Sequence, residues 1–369
     1  MTARIALFGA TGYTGRRTAQ MMVQRGLRPV LAGRDPARLA ALAERLGGLE
    51  TARADVTEES SVAALVGRGD VLVSTVGPFL QLGRAAVAAA VGAGAIYLDS
   101  TGEPTFVREV FERYGPEAER SGAALITAFG VDYVPGVLAG ALALRAAGAA
   151  ASRVDIGYFI LGGGRGQAFS RGTLRSVMGM ALEKNHAWRD GELRTESAGA
   201  RLRTFDVAGR PRPGVTIGGS EQFALPRFAP ELQSVDVYLG WFGAASQALH
   251  VASRVTPMLG RVPGAARALA AVAGLVTRTA SEAPSEEALA GMRSHVVAEV
   301  FDGSGTLLAR TRLVAPDAYA LTANLLAWAA GRAAEHGVRG SGALDPVAAF
   351  GLDELRAGAA ESGMVEETS

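Results

Sequence analysis

Cysteine is absent, which excludes disulfides, a thiolate nucleophile and any cysteine-based metal site. The four histidines, His186, His250, His295 and His336, stand far apart and form no ligand motif, so no metal is expected. Neither sign of charge is in excess: 37 Lys and Arg face 36 Asp and Glu, a net +1. That leaves no basic surplus for nucleic-acid phosphates, and no nucleic-acid partner is expected. Lysine is nearly missing too. Lys184 is the single one, so Arg serves wherever a surface cation is wanted. No uninterrupted apolar stretch reaches the roughly 20 residues that span a bilayer. Charged Arg4 precedes a run of strand length only, which is not a cleavable signal. The expected location is the cytoplasm. What the chain has in quantity is glycine, 48 of its 369 residues, and length enough for two domains with a sizeable core.

The glycines matter most near the start. Arg4-Ile5-Ala6-Leu7-Phe8 is a strand-length apolar run that leads into Gly9-Ala10-Thr11-Gly12-Tyr13-Thr14-Gly15, after which Arg16 to Gln24 reads as a helix. A buried strand, a glycine turn and a helix N-terminus form a dinucleotide cradle. Gly9 permits the tight turn, Gly12 lets the backbone approach a pyrophosphate, and Gly15 lets helix and strand pack closely. The helix dipole and its first amides face the phosphates.

The second strand, Arg28 to Gly33, ends in Arg34 where a NAD site would place an acid on the ribose 2′-hydroxyl. A guanidinium there suits a 2′-phosphate, so NADP(H) is the expected cofactor. Asp35-Pro36 is an N-cap followed by proline at the first position of a helix, Ala37 to Leu46, which gives Asp35 a structural task. Arg38, one turn further, is either a second phosphate partner or a solvated surface residue. Asp55 either faces adenine or caps the helix from Glu58 to Val66. A fourth strand, Asp70 to Val76, ends in the turn Gly77-Pro78-Phe79 at the carboxyl edge of the sheet. Alternating elements continue through a helix at Ala85 to Val91, a strand at Ala95 to Leu98, a helix at Phe106 to Ser121 and a strand at Ala124 to Thr127. The pattern requires a parallel, doubly wound α/β sheet of Rossmann type. A nucleotide on it is expected to touch Gly9, Thr11, Gly12, Tyr13, Thr14 and Gly15, Arg34 and Arg38, Asp55, Thr75, Val76, Gly77, Pro78 and Phe79, and Thr101 and Gly102.

An ordered series of motifs resembles the saccharopine dehydrogenase-like oxidoreductases: the glycine loop, Val76-Gly77-Pro78-Phe79, Tyr97-Leu98-Asp99 with Thr101-Gly102-Glu103, and Gly130-Val131-Asp132-Tyr133-Val134-Pro135. Arg171-Gly172-Thr173-Leu174-Arg175-Ser176, Ala315-Pro316-Asp317-Ala318-Tyr319-Ala320-Leu321-Thr322 and Leu344-Asp345-Pro346 with Ala349-Phe350-Gly351 complete it. Among branches it looks most like the trans-acting enoyl reductases of actinobacterial lipid and polyketide pathways. The resemblance implies an NADP(H) fold whose last helices return to the nucleotide domain. Arg171 stands where the family often has Gly, and Tyr133 where it often has Ser; both are near the expected substrate pocket.

Beyond about residue 150 the pattern changes. Val154, Ile156, Tyr158 and Ile160 alternate as a strand facing a core on one side. The run Gly162 to Gly166 is a second anion cradle or, preferably, a loop bordering the active site, and Ser170-Arg171-Gly172-Thr173 opens a helix to about Lys184. Trp188 to Gly219 is polar and turn-rich, with Arg201 to Val207 strand-like. Val235, Val237 and Leu239 form a further strand, and His295 to Phe301 with Thr306 to Val314 a hairpin. A second α+β domain on a mixed or antiparallel sheet fits, with boundaries at 1–130, 131–315 and 316–369. Gln247 to Thr277 is a membrane-surface helix or, preferably, a helical flap over an apolar pocket or dimer surface; a homodimer stays open. Tyr319 to Ala334 is a strong helix, and the tail after Met364 is expected to be disordered.

A cofactor site of this kind makes hydride transfer the default chemistry. Enoyl reduction needs an oxyanion donor and a proton source, whereas imine reduction starts from a cation. Tyr133, Asp132 and Glu103 are the candidates, each at a strand end on the ligand edge. Ser170, Arg171 and Thr173 are expected to face the substrate. The largely apolar second domain favours an apolar, carrier-bound enoyl substrate over an amino acid. Lys184, beside Glu183 and Asn185 at a helix end, is not expected to form a Schiff base. The rival class is an NADPH-binding sensor without turnover.

Overall fold

Alternation of buried strands with amphipathic helices yields two units in the computed structural model, which describes residues 3–162, 184–241, 246–247, 250, 289 and 291–367. The first comprises Met1–Thr101, Phe106–Val134 and Ala318–Met364. The second comprises Gly102–Thr105, Pro135–Asp317 and Val365–Ser369.

The first unit is built on a seven-stranded sheet. β1 (Ile5–Phe8), β2 (Val30–Gly33), β3 (Thr51–Arg53), β4 (Val71–Ser74), β5 (Ile96–Asp99) and β6 (Ala124–Ile126) all run parallel, in the order β6-β5-β4-β1-β2-β3. The order reverses beside β1, which is the switch point of a doubly wound sheet. β1, β2, β4 and β5 are buried along their whole length, as parallel strands covered on both faces must be. Helix α1 (Tyr13–Gln24) buries Gly15, Thr18, Ala19 and Met22, spacings that mark one helical face. Helix α2 (Pro36–Arg45) starts as expected: the Asp35 carboxylate accepts from the Arg38 amide at 3.1 Å, with Pro36 in the first turn. A late helix, Ala318–His336, packs on α1, and the two-residue strand Gly342–Ala343 extends the sheet beside β6, also parallel. Trp328 of that helix forms a three-ring cluster with Phe129 and Phe350, its centroid 6.4 and 5.0 Å from theirs, which are 5.6 Å apart.

The second unit carries a nine-stranded mixed sheet. β7 (Arg153–Leu161) is its centre, parallel to the strand Ser234–Leu239 and antiparallel to Arg293–Phe301; the latter forms the expected hairpin with Leu307–Ala315.

Five local expectations differ from this structure. The Phe106–Ser121 helix is interrupted by a π-helical turn over Val110–Tyr114, immediately before Pro116, which has no amide to continue an i→i−4 ladder. β7 is buried on both faces, because Asp155, opposite the apolar Val154 and Ile156, is covered by Arg203. Lys184 starts a strand, Lys184–Arg189, rather than ending a helix. The polar, turn-rich stretch up to Gly219 holds more strand than the expected Arg201 to Val207: it forms two hairpins, turning at Asp190-Gly191 and Ala208-Gly209, all four residues with positive φ. The tail past Met364 pairs: Val365–Glu366 forms a short strand against Leu313 and Val314.

Candidate functional site

The turn after β1 closes on itself. Gly9 adopts φ +88°, and a Cβ there would sit 2.7 Å from Thr75 Oγ1. The Gly9 carbonyl accepts from the Gly12 amide at 2.9 Å and from the Thr75 hydroxyl at 3.2 Å. A Cβ on Gly15 would collide with that same carbonyl. Gly12 differs from both: its φ of −72° suits any residue, and an added Cβ would meet only the Gly9 oxygen, at 3.3 Å. The fold itself therefore does not require a glycine at position 12. Gly12 is the N-cap of α1, no side chain caps that end, and the first turn carries no acidic residue. These are the features of an anion-binding helix start.

Two guanidinium groups border the same turn. Arg16 donates to the Thr11 carbonyl at 3.1 Å and Arg38 at 3.4 Å. Together with Thr11, Ala41, Leu42, Glu44 and Arg45 they line a cleft of about 370 Å³. Arg34 is exposed at the end of β2 and contributes a favourable charge to Asp55. The Asp55 carboxyl lies below the usual carboxylate range chiefly because the Thr57 amide and hydroxyl donate to it, at 3.0 and 2.8 Å. Asp55 therefore forms its own turn, and the following helix starts later, at Glu59.

The loops after β4, β5 and β6 hold the remaining candidates of this unit. Thr75 and Val76 back onto Gly9, while the Gly77–Pro78 bond is cis and Phe79 packs on Phe106 with centroids 5.7 Å apart. Thr101 is buried, its amide donating to Asp99 at 2.8 Å. The Tyr13 ring packs edge-on against Tyr319, at 5.1 Å, with Arg17 over its face. Asp132 is half-buried, and desolvation alone pushes its carboxyl up to about 7. Tyr133 beside it is buried, at 1 % exposure, and the Val131 amide just before is held by Thr322 at 3.1 Å. Gly102 and Glu103 belong to the second unit, and Glu103 is buried. Ser170, Arg171 and Thr173 lie outside the described residues, as do Gly163–Gly166 and the Gln247–Thr277 stretch apart from residues 247 and 250.

Two features were not anticipated. Arg16 enters the site from the first turn of α1, where only its adjacency to Gly15 could have marked it. The second unit is also less apolar than expected, for Asp155, Asp236 and Glu299 are buried in its sheet. Each is paired with arginine: Asp155 with Arg203, Asp236 with Arg189 and Arg201, Glu299 with Arg203 and Arg310.

The donor set fits a phosphorylated dinucleotide: a bare glycine at an uncapped helix start, and arginines beside the ribose end of β2. Among the described residues no group of three or more His, Asp or Glu could hold a metal ion.

Comparison with known proteins agrees. Residues 5–126 match the model of the saccharopine dehydrogenase NADP binding domain. A Mycobacterium tuberculosis protein provisionally named a trans-acting enoyl reductase is 40% identical over 139 residues, 36% of this chain and 33% of the relative. A trans-acting enoyl reductase of Mycobacterium ulcerans is 38% identical over 137 residues, with the same shares of 36% and 33%. The matched segment thus spans about a third of these relatives. Among solved structures, the saccharopine dehydrogenase (L-Glu forming) of Saccharomyces cerevisiae superposes over 100% of both chains with a TM-score of 0.60 at 15% identity. The first unit therefore carries a saccharopine dehydrogenase NADP binding domain, NADP(H) is its cofactor, and the chain has the saccharopine dehydrogenase fold.

Proposed function

We propose that this protein is an NADPH-dependent oxidoreductase that reduces the C=C bond of an apolar, carrier-bound enoyl substrate. Asp132 carries the reading. A carboxyl pushed up to about 7 is about half protonated at neutral pH and mostly protonated below it, and it stands on the loop after β6 at the carboxyl edge of the sheet, where ligands of such folds lie. The likeness of about a third of the chain to trans-acting enoyl reductases supports the choice of substrate class.

When bound, NADPH supplies the hydride. The chain's own residues hold it: the first amides of α1 and Gly12 take the pyrophosphate, and Arg34, Arg38 and Arg16 take the 2′-phosphate. Reduction of an α,β-unsaturated thioester builds negative charge on the carbonyl oxygen and ends with a proton on the α-carbon. Asp132 is the group suited to deliver that proton. Tyr133, at 1 % exposure, is less accessible and serves in this reading as a wall beside Asp132.

A second reading, imine reduction, is favoured by one observation: the second unit buries Asn185, His186, Ser220, Glu221 and Gln222 around the Gly218-Gly219 turn, polar groups suited to a polar substrate. A steady-state screen separates the two. NADPH consumption is followed with a panel of acyl-pantetheine enoyl thioesters and with amine–aldehyde mixtures that form imines. Turnover of thioesters that rises with acyl length is expected. Turnover of imines alone would replace this reading with the second, and stoichiometric NADPH binding without consumption in either panel would leave a sensor.

A further inference from the structure

Asp99, at the end of β5, is a fully buried carboxylate to which the chemistry above gives no task. Its Oδ1 accepts from two backbone amides, Thr101 at 2.8 Å and Ala128 at 2.9 Å, and its Oδ2 accepts from the Thr127 hydroxyl at 2.7 Å. Its own carbonyl accepts from the Phe129 amide at 2.7 Å. One residue thus ties the loop leaving β5 to the loop leaving β6. The tie is under tension: Ala128 adopts φ +61°, the left-handed region that a residue with a Cβ seldom enters without compensation. Burial pushes the Asp99 carboxyl up only to about 6, because the Thr101 and Ala128 amides and the Thr127 hydroxyl favour its charged form.

The position of these loops assigns the tie a ligand. The glycine turn follows β1 and Arg34 follows β2, so the adenosine half of the cofactor lies on the β2 side of the switch point. The other half must extend over the ends of β4, β5 and β6. We infer that Asp99 is a positioning residue for the nicotinamide half of NADP(H): it fixes Thr101 and the Ala128-Phe129 kink so that the β5 and β6 loops present a preformed floor. The inference rests on the cofactor assignment and not on the identity of the substrate.

Two parallel fluorescence or calorimetric titrations test it, one with NADPH and one with adenosine 2′,5′-bisphosphate, which lacks the nicotinamide half. Asp99→Ala is expected to weaken NADPH about tenfold or more and to leave the bisphosphate unchanged. Asp99→Asn should restore NADPH binding to within about threefold, since its amide oxygen accepts the same two backbone amides and its nitrogen donates to the Thr127 hydroxyl. If Asp99→Ala does not fold, Thr127→Val, which removes one donor, is read in the same way, with a smaller selective loss expected. Equal losses for both ligands, or no loss of NADPH affinity, would overturn the proposal. Wild-type protein that binds neither ligand would refute the cofactor assignment, a separate outcome.

Discussion

Substitution of Gly12 separates the fold from the function of the glycine loop. In Gly12→Ala the backbone needs no change, since φ −72° and ψ 172° are open to alanine. The new methyl group meets only the Gly9 oxygen, at 3.3 Å. The folded protein loses a tolerable N-cap, about 1 kcal/mol or less, which in a domain of this size shifts Tm by roughly 2–4 °C. Binding suffers far more. The methyl group occupies the face by which the pyrophosphate reaches the helix amides, so at least one charge-assisted hydrogen bond is lost, about 1.5–3 kcal/mol. That corresponds to a rise of about 10- to 150-fold in Kd for NADPH. Gly15→Ala is the contrasting variant: its Cβ strikes the Gly9 carbonyl and would sit 2.9 Å from Ala10 Cα, backbone that cannot step aside. Overpacking of that kind costs about 1–3 kcal/mol, so stability and binding should fall together. Thermal unfolding and NADPH titration of both variants suffice. Gly12→Ala protein that binds NADPH normally, or that unfolds as readily as Gly15→Ala, would refute the reasoning.

Further outcomes are expected at three other places. Arg34→Ala should weaken NADPH by about 1.5–3 kcal/mol and leave NADH nearly unchanged, and Arg38→Ala should act in the same direction; equal losses for the two cofactors would remove the 2′-phosphate from these residues. Asp132 binds its proton more tightly in the folded protein, at about 7 against 3.8 for an unperturbed side chain. Its contribution to stability is therefore complete below about pH 4 and is lost as pH rises through about 7. Wild type should lose stability relative to Asp132→Asn as pH rises from about 4 to about 7, and parallel curves would show that Asp132 does not titrate there. Trp328→Ala should lower the stability of the first unit by about 3–5 kcal/mol, as it removes one ring of the buried cluster with Phe129 and Phe350. A denaturant midpoint unchanged from wild type would contradict that packing.

What was legible in the sequence is what is local in the chain. The glycine loop, the Asp35-Pro36 helix start and the alternation of strands and helices depend on residues within a few positions of each other, and the parallel sheet follows from that alternation. The hairpin turns at Asp190-Gly191 and Ala208-Gly209 were equally local, but apart from Arg201 to Val207 the polar strands beside them carry little hydrophobic period and read only as turn-rich. Other features are set across the fold. Asp155 looked like the wet side of β7 until Arg203, from a strand paired elsewhere in the sheet, covered it. Asp99 stood in a motif, yet its partners Thr127 and Ala128 are 28 and 29 residues away, and only the pairing of β5 with β6 brings them to it. Val365–Glu366 is short and exposed, with nothing in its composition to announce a strand; the free edge of Leu307–Ala315 supplies the order.

Transfer of deuterium tests the central claim most directly. The protein is mixed with NADPH carrying deuterium at the transferable position and with a long-chain enoyl pantetheine thioester, and the acyl product is examined by mass spectrometry and NMR. The account predicts one deuterium at the β-carbon and one solvent hydrogen at the α-carbon, with the protonation step slowed in Asp132→Asn. An acyl chain recovered unreduced, while label passes instead to the carbon of an added imine, would contradict it.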